Sequence, residues 1–229
     1  MTNARRMVAV VGNLGLHPIC KLSVPARRLL VFLALNNGHS LRRDAAASLW
    51  PDHPEEIGRA NLRRAIWLLP PKWVVSDHDT IELDAVIDYD DAKKSACNAI
   101  QGSALSLDEI NLLSQDILPG WHEEWIIPRQ DAFRLLRVQA LEAACVTMAT
   151  KGHFALATQA GAAALAAEPL RESAAEALIN AHLAQRNRHE AATCFRNFAA
   201  RLEEELGVAP DPMLSQRFAM LSMTPNGTH

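Results

Sequence analysis

The stretch Ile57–Leu69 constrains the fold of this chain strongly, because its residues separate into two faces when they are wound as a helix. At about 100° per residue, one face is apolar and the other is basic. The apolar face holds Gly58, Leu62, Ala65, Ile66 and Leu69, and the opposite face holds Ala60, Arg63, Arg64 and Trp67, with Arg59 and Asn61 on the flanks. No Asp or Glu lies between Glu56 and Asp77 to neutralise the arginines. The pattern predicts a helix with one buried face and one face for an anionic partner, and a solvated basic face is the alternative.

Charge is divided unevenly along the 229 residues, although the net charge is only -3. Residues 1–75 contain 11 Lys and Arg against 4 Asp and Glu, a net of +7, and residues 76–229 contain 12 against 22, a net of -10. A basic first third is what attraction to a phosphate backbone requires. The acidic remainder is either solvated or meets a different partner.

Composition favours a cytoplasmic protein with two modest domains. A chain with 49% hydrophobic residues can bury a real core. Its 4 cysteines are scattered without CxxC spacing, which suits a reducing compartment. The apolar run near the N-terminus is too brief for a signal peptide, and no window approaches the roughly 18 apolar residues of a membrane span.

Two further helices are predicted before Ile57–Leu69. Pro25 opens the first at a position where its missing N–H costs nothing, and Asn37-Gly38 ends it. Ser40 is the expected N-cap of the second, which runs to Trp50 before a proline-rich break. This order predicts a helix-turn-helix whose last helix carries the basic face.

Short strands are predicted on both sides of these helices. Alternation within Trp73–Asp84 predicts a β-hairpin, and Met7–Leu16 with Cys20–Val24 predicts a small strand pair. A hairpin directly after a recognition helix is typical of a winged helix. The hairpin tip carries Asp77 and Asp79, which phosphate would repel, so the wing either stays clear of nucleic acid or meets a protein.

The second half of the chain is predicted to be all-helical from Leu105 onward, since Ala, Leu, Glu, Gln and Arg dominate it. Gly152–Ala160 and Asn187–Phe195 align at a separation of 35 residues, with Pro169 between them as a helix starter. That period suits helix pairs of the tetratricopeptide class, which present a concave face to another protein. Chance alignment of Ala-rich helices is the competing explanation.

No catalytic or cofactor-binding constellation is recognisable in the sequence. Neither GxxxxGK[ST] nor GxGxxG occurs. His182 and His189 with the nearby Cys194 lack a fourth metal ligand, so helix-surface histidines are the simpler interpretation. Trp121 and Trp125 are four residues apart and are interpreted as core anchors between the domains, on one helix face, in preference to a ligand-binding pair. An enzyme, a bound cofactor and a metal site are not expected.

Several separated motifs resemble the SARP family of bacterial transcriptional activators. In the first half the resemblance rests on Gly38–Asp44, Leu49–Pro51 and Arg59–Arg63, which are similar to the OmpR-type winged helix of that family. In the second half it rests on Leu118–Trp121, Trp125, Arg129, Ala166–Glu172 and Leu202–Pro210, which are similar to its bacterial transcriptional activation domain. The motifs occur in the family's order over almost the whole chain.

The resemblance implies a mainly α fold with a small β part, of the small stand-alone SARP type. It implies an N-terminal winged helix-turn-helix in residues 1–90 and an all-α tetratricopeptide-like activation domain in residues 91–229. It further implies binding to direct repeats as a dimer on double-stranded DNA, and recruitment of RNA polymerase through its sigma and alpha subunits. The protein would be cytoplasmic and nucleoid-associated when bound to DNA, without a membrane partner.

The predicted DNA-binding residues fall into two sets. Arg59, Asn61, Arg63, Arg64 and Trp67 are expected to enter the major groove. Arg27, Arg28, Arg42 and Arg43 are expected to clamp the phosphate backbone around the rim. The alternative is a protein-binding adaptor, in which the helical repeat carries the activity and the winged helix binds DNA weakly or not at all.

Overall fold

The structure is a computed structural model that describes residues 6–216. Its contacts divide the chain into two compact units. The first unit runs to Lys93 and also includes Gln115–Phe133, and the second holds Lys94–Ser114 and the chain from Arg134 onward. The described residues are mainly helical with a small β part, which confirms the predicted fold class. The domain boundary between residues 90 and 91 stays a prediction.

The first unit consists of a helix-turn-helix and two small sheets. Its elements are β1 (Met7–Ala9), β2 (Gly15–His17), α1 (Val24–Leu35), β3 (His39–Leu41), α2 (Arg42–Leu49), α3 (Glu55–Trp67), β4 (Val74–Ser76), β5 (Thr80–Leu83) and β6 (Val86–Ile87). One sheet has the order β2-β1-β6, with β1 antiparallel to β2 and parallel to β6. The other has the antiparallel order β3-β5-β4, and its β4–β5 hairpin is the predicted wing.

Helix α1 forms the core of this unit, as its sequence predicts. Proline stands in its first turn, and a continuous apolar run from Leu29 to Leu35 is buried. The helix ends where Asn37 and Gly38 adopt positive φ values of 58° and 76°. Glycine takes such a conformation without a steric penalty, whereas an asparagine does so at a modest cost.

Two local predictions for this unit are wrong. The partner of β1 is β2, and Cys20–Val24 forms no strand in the structure. Ser40 does not cap α2, because it lies in β3 and pairs with Ile81 of the wing; the residue at the cap is Leu41. Sheet pairing with a distant strand therefore overrides the local preference of serine for a helix N-cap.

The segment Gln115–Phe133 belongs to the first unit although 21 residues of the second unit precede it. Ile117 bridges to Val11, and the Leu118 N–H donates to the carbonyl oxygens of Val10 and Gly12 at 3.1 and 2.8 Å. Ile117 and Leu118 are buried at 0% and 1% exposure. The segment therefore adds apolar side chains and backbone hydrogen bonds to the residues that directly follow β1.

The prediction that Trp121 and Trp125 share a helix face is wrong, because no helix covers either residue. Trp125 packs edge-on against Phe32 of α1, with ring centroids 5.6 Å apart. Its indole Nε1 donates to Glu123 at 2.6 Å. Trp125 therefore anchors an irregular segment, and not a helix, within the first unit.

The second unit is built from helices. The elements after β6 are α4 (Asp88–Ile100), α5 (Leu107–Leu113), α6 (Ile127–Thr150), α7 (Phe154–Ala167), α8 (Glu172–Ala184) and α9 (Arg188–Leu206), of which α4 and α6 contribute residues to both units. Helix α7 packs against α8, and α8 packs against α9. Phe198, Leu202 and Ile179 are central to their shared apolar core. Among residues 6–216, no helix is long and apolar enough to span a membrane.

The repeat in the second unit has a period of 34 residues, and the predicted separation of 35 is wrong by one. Helix α7 begins at residue 154 and α9 begins at residue 188. The buried Ala157 and Ala164 of α7 correspond to the buried Ala191 and Phe198 of α9 at that spacing. A 34-residue period is the tetratricopeptide period, so burial supports the predicted helix-pair architecture.

Candidate nucleic-acid interface

Helix α3 has the two faces that its sequence predicts. Gly58, Leu62 and Ala65 are buried, whereas Arg63 and Arg64 are exposed and Trp67 is 81% exposed. Helix α2 packs on the buried face. Because the apolar residues recur at helical spacing, packing them fixes the rotation of α3 and leaves the basic face outward.

The arginines of α3 differ in their pairing. Arg59 forms an ion pair with Glu55 one turn earlier, so the expectation that no carboxylate neutralises this helix is wrong for Arg59. The i, i+4 spacing of this pair was readable from the sequence. Within residues 6–216, Arg63 and Arg64 have no ion pair and no side-chain hydrogen bond. Two guanidinium groups are therefore available to an anionic partner.

A cavity of about 670 Å³ lies between α3 and the wing, within the first unit. Arg59 and Arg63 line it from α3, and Arg42 and Arg43 line it from the start of α2. The wing contributes Asp77, His78 and Asp79. The structure thus brings four of the predicted arginines to one cavity, and it places the acidic wing tip at the same cavity.

Arg42 ties α2 to the wing. Its guanidinium Nη1 donates to the Ser76 hydroxyl, and its backbone N–H donates to the Asp79 carbonyl at 2.8 Å. Arg43 makes an ion pair of 3.2 Å with Asp44, and both side chains are well exposed. Arg42 therefore has a structural contact, whereas Arg43 is held only by an exposed neighbour and can be drawn to phosphate.

Asp77 has a structural role at the wing tip that sequence reasoning did not identify. Its Oδ1 accepts the backbone N–H groups of Thr80 and Asp79 at 2.7 and 2.8 Å. These two hydrogen bonds hold the pKa of the Asp77 carboxyl below its ordinary value. The aspartate closes the hairpin turn. Aspartate is common at the first position of such turns, so the sequence alone could have indicated this role. Its negative charge is partly compensated by backbone dipoles, which leaves Asp79 as the less compensated carboxylate of the tip.

Arg27 and Arg28 contact the segment Gln115–Phe133 and do not line the cavity. The Arg28 Nε donates a hydrogen bond to the Glu123 Oε2 at 2.7 Å, and its Nη2 lies 2.6 Å from the same oxygen in an ion pair. Arg27 lies 5.4 Å from the ring centroid of Trp121. Both contacts join residues about 95 positions apart in the chain, so no local pattern could predict them.

Asn61, the remaining predicted DNA-binding residue of α3, is half-buried.

The histidines that were considered as metal ligands lie on different helices. His182 is on α8 and His189 is on α9, and burial lowers the pKa of His182. Within the described part of the chain, no group of three or more His, Cys, Asp or Glu side chains is arranged to hold a metal ion.

A helix-turn-helix followed by a β-hairpin, with the basic face on the last helix, defines a winged-helix protein, and a helical repeat accompanies it. The family model described as "Bacterial transcriptional activator domain" matches residues 92–221. The chain therefore belongs to the bacterial transcriptional activator domain family, which confirms the SARP-type recognition made from its motifs. It is a family of transcriptional activators.

One similar solved structure is that of Mycobacterium tuberculosis EmbR in complex with a low-affinity phosphopeptide. It aligns with a TM-score of 0.65 at 16% sequence identity, over 98% of this chain. The chain spans 66% of the EmbR chain, just under two thirds of its length. The likeness at this identity establishes a shared fold. No curated protein sequence matches the chain significantly.

Proposed function

We propose that this chain is a sequence-specific DNA-binding activator of transcription that inserts α3 into the major groove. The observation that carries the proposal is the pair of unengaged guanidinium groups, Arg63 and Arg64, on the exposed face of α3 beside a cavity lined by further arginines. Arginine is suited to this role because its planar fork can contact guanine O6 and N7 together.

The remaining predicted residues are assigned by their surroundings. Arg59, Asn61 and Trp67 accompany the pair on α3, and Arg42 and Arg43 lie at the rim of the cavity, where a phosphate backbone would pass. Arg27 and Arg28 are also proposed to contact the phosphate backbone. The case for them is weaker than for Arg42 and Arg43, because Arg27 already contacts Trp121 and Arg28 already pairs with Glu123.

The finer parts of the proposal rest on family membership. We propose DNA binding by residues 1–90, activation by residues 91–229, binding to promoter direct repeats as a dimer, and contact with the sigma and alpha subunits of RNA polymerase in the cytoplasm. The alternative is a protein-binding adaptor with a weakly binding winged helix. It is favoured by Asp79 and Asp77 at the cavity, since carboxylates repel phosphate.

Replacing Arg63 with alanine is expected to weaken binding to the selected DNA site by about 1 to 3 kcal/mol, because a base contact is lost. Affinity would be measured by fluorescence anisotropy on a site selected from random duplexes by the wild-type chain. Lys151→Ala, in the exposed turn after α6, is the control and is expected to bind like wild type. Equal affinity of Arg63→Ala and wild type would count against this register of α3. Failure of the wild-type chain to select any duplex would favour the adaptor.

Replacing Arg43 with alanine is expected to have a different effect from Arg63→Ala. Loss of a phosphate contact weakens binding about equally on all sequences, and it lowers the slope of log affinity against log salt by about 1. The measurement is a salt titration on the selected site and on a scrambled duplex. An unchanged slope would exclude Arg43 from the phosphate-contacting set while leaving the role of α3 intact.

A further inference from the structure

Trp67 is an unusual side chain for the surface on which it lies. It is 81% exposed, and it follows Arg63 and Arg64 by four and three residues, so the three side chains share one face of α3. In the described part of the chain, no ring and no cation contacts its indole. A large aromatic surface is thus left in water beside two unengaged guanidinium groups. Single exposed apolar residues are common, but this one stands within a surface otherwise suited to an anion.

The backbone that carries Trp67 is held firmly. Leu69 and Trp73, on either side of the turn that follows α3, are buried at 9% and 2% exposure. The Leu68 N–H donates to the Arg64 carbonyl at 3.0 Å and closes the last turn of the helix. The backbone from which the indole projects is therefore held by the core, which suits recognition of a defined group better than a mobile loop would.

The exposed residues of α3 differ in whether they line the cavity beside the wing. Arg59 and Arg63 line that cavity, whereas Arg64 and Trp67 do not. The indole therefore lies outside the cavity that the rim arginines line. Indole has no positive charge and one N–H donor, so its large apolar surface fits an apolar group better than a phosphate.

We infer that Trp67 reads a thymine methyl group in the major groove, next to the base pair that Arg63 contacts. The inference rests on the proposed insertion of α3 into DNA. The C5-methyl of thymine is the apolar group that this groove presents to a side chain. Four residues separate Arg63 from Trp67, a rise of about 6 Å that corresponds to about one to two base pairs at 3.4 Å each.

The test removes the methyl group from the DNA and the indole from the protein, separately and together. Deoxyuridine would replace each thymine of the selected site in turn, and affinity would be measured by anisotropy with the full chain. Loss of one buried methyl is expected to weaken wild-type binding about fourfold at one or two thymines. With Trp67→Ala, binding to the unmodified site is expected to fall, and the same deoxyuridine substitutions are expected to have no further effect.

Val75→Ala serves as the matched control, since Val75 is an exposed apolar residue at 59% exposure on β4 of the same unit. It is expected to keep the full deoxyuridine effect. The inference is overturned if every thymine tolerates deoxyuridine, if Trp67→Ala retains the fourfold loss, or if Trp67→Ala binds the site like wild type. In each case Arg63→Ala still reports on the DNA-binding proposal independently. Absence of any selected duplex would overturn both.

Discussion

A chain with Ile117 replaced by alanine is expected to lose about 2 to 5 kcal/mol of unfolding free energy in its first unit. Ile117 is 0% exposed and bridges to Val11 and Gly12, which follow β1. Removing three buried carbons forfeits their transfer free energy and leaves a cavity that the surrounding residues fill only in part. The loss therefore falls on the unit that bears α3, although residue 117 lies far from it in sequence.

Because the chain has two compact units, a single melting temperature does not describe its stability. Native-state hydrogen exchange is the suitable measurement, since it reports on each helix separately. Protection in α1 is expected to fall in Ile117→Ala, while protection in α8 and α9 stays unchanged. Ile127→Ala, at a residue that is 44% exposed in the same segment, is the matched control and should change stability by less than about 0.5 kcal/mol.

A chain that ends at residue 90 tests the same contact more severely. It lacks Asp116, whose carbonyl accepts the Gly12 N–H at 2.6 Å, and Leu118, whose N–H donates to Val10 and Gly12. Backbone groups near β1 lose their partners, and apolar surface becomes exposed. We expect such a chain to aggregate or to unfold without a sharp transition. A well-folded fragment that binds DNA like the full chain would mean that Gln115–Phe133 is an accessory to the winged helix.

The sequence predicted those parts of the structure that depend on local periodicity. The two faces of α3 follow from helical spacing, the wing follows from alternation, and the end of α1 follows from Asn37-Gly38. Helical period and turn chemistry act over a few residues, so a single sequence contains the information. The Asp77 turn and the Glu55–Arg59 pair are equally local, and both could have been identified.

The features that were not predicted depend on distant pairing. Ser40 satisfies the rule for an N-cap, but its strand pairs with Ile81, and that partner is not visible from the local sequence. Arg28 meets Glu123 only because the chain returns to α1 after an excursion of 21 residues in the second unit. The repeat was misaligned by one residue because alanines occur at many neighbouring positions, and only burial distinguishes Ala191 from Ala192. The DNA-contacting roles of the α3 residues stay predictions.

In the second unit, Gly161→Val is expected to lower the unfolding free energy by about 2 to 3 kcal/mol through overpacking. A β-carbon at residue 161 would lie 2.9 Å from the Cys145 sulfur, 3.1 Å from the Leu178 Cβ and 3.2 Å from the Leu178 Cα. The last of these is backbone of α8, which cannot yield without moving the whole helix. Glycine within a helix costs roughly 1 kcal/mol relative to alanine, yet here it allows α7 to approach α8 closely. Close helix approach therefore outweighs helix propensity at this residue.

The effect of Gly161 can be separated into its two contacts. Gly161→Ala is expected to be less harmful than Gly161→Val, because the gain in helix propensity offsets part of the clash. Combining Gly161→Ala with Cys145→Ala removes the nearest atom, so the double variant should be more stable than the sum of the single changes predicts. Gly120→Ala is the control, since nothing lies within 4 Å of its β-carbon position. Hydrogen exchange in α7 and α8 provides the measurement. Unchanged protection in Gly161→Val would mean that α7 and α8 are too far apart in solution for a side chain at residue 161 to clash with Leu178. The helix-pair packing described for the 34-residue repeat would then need revision.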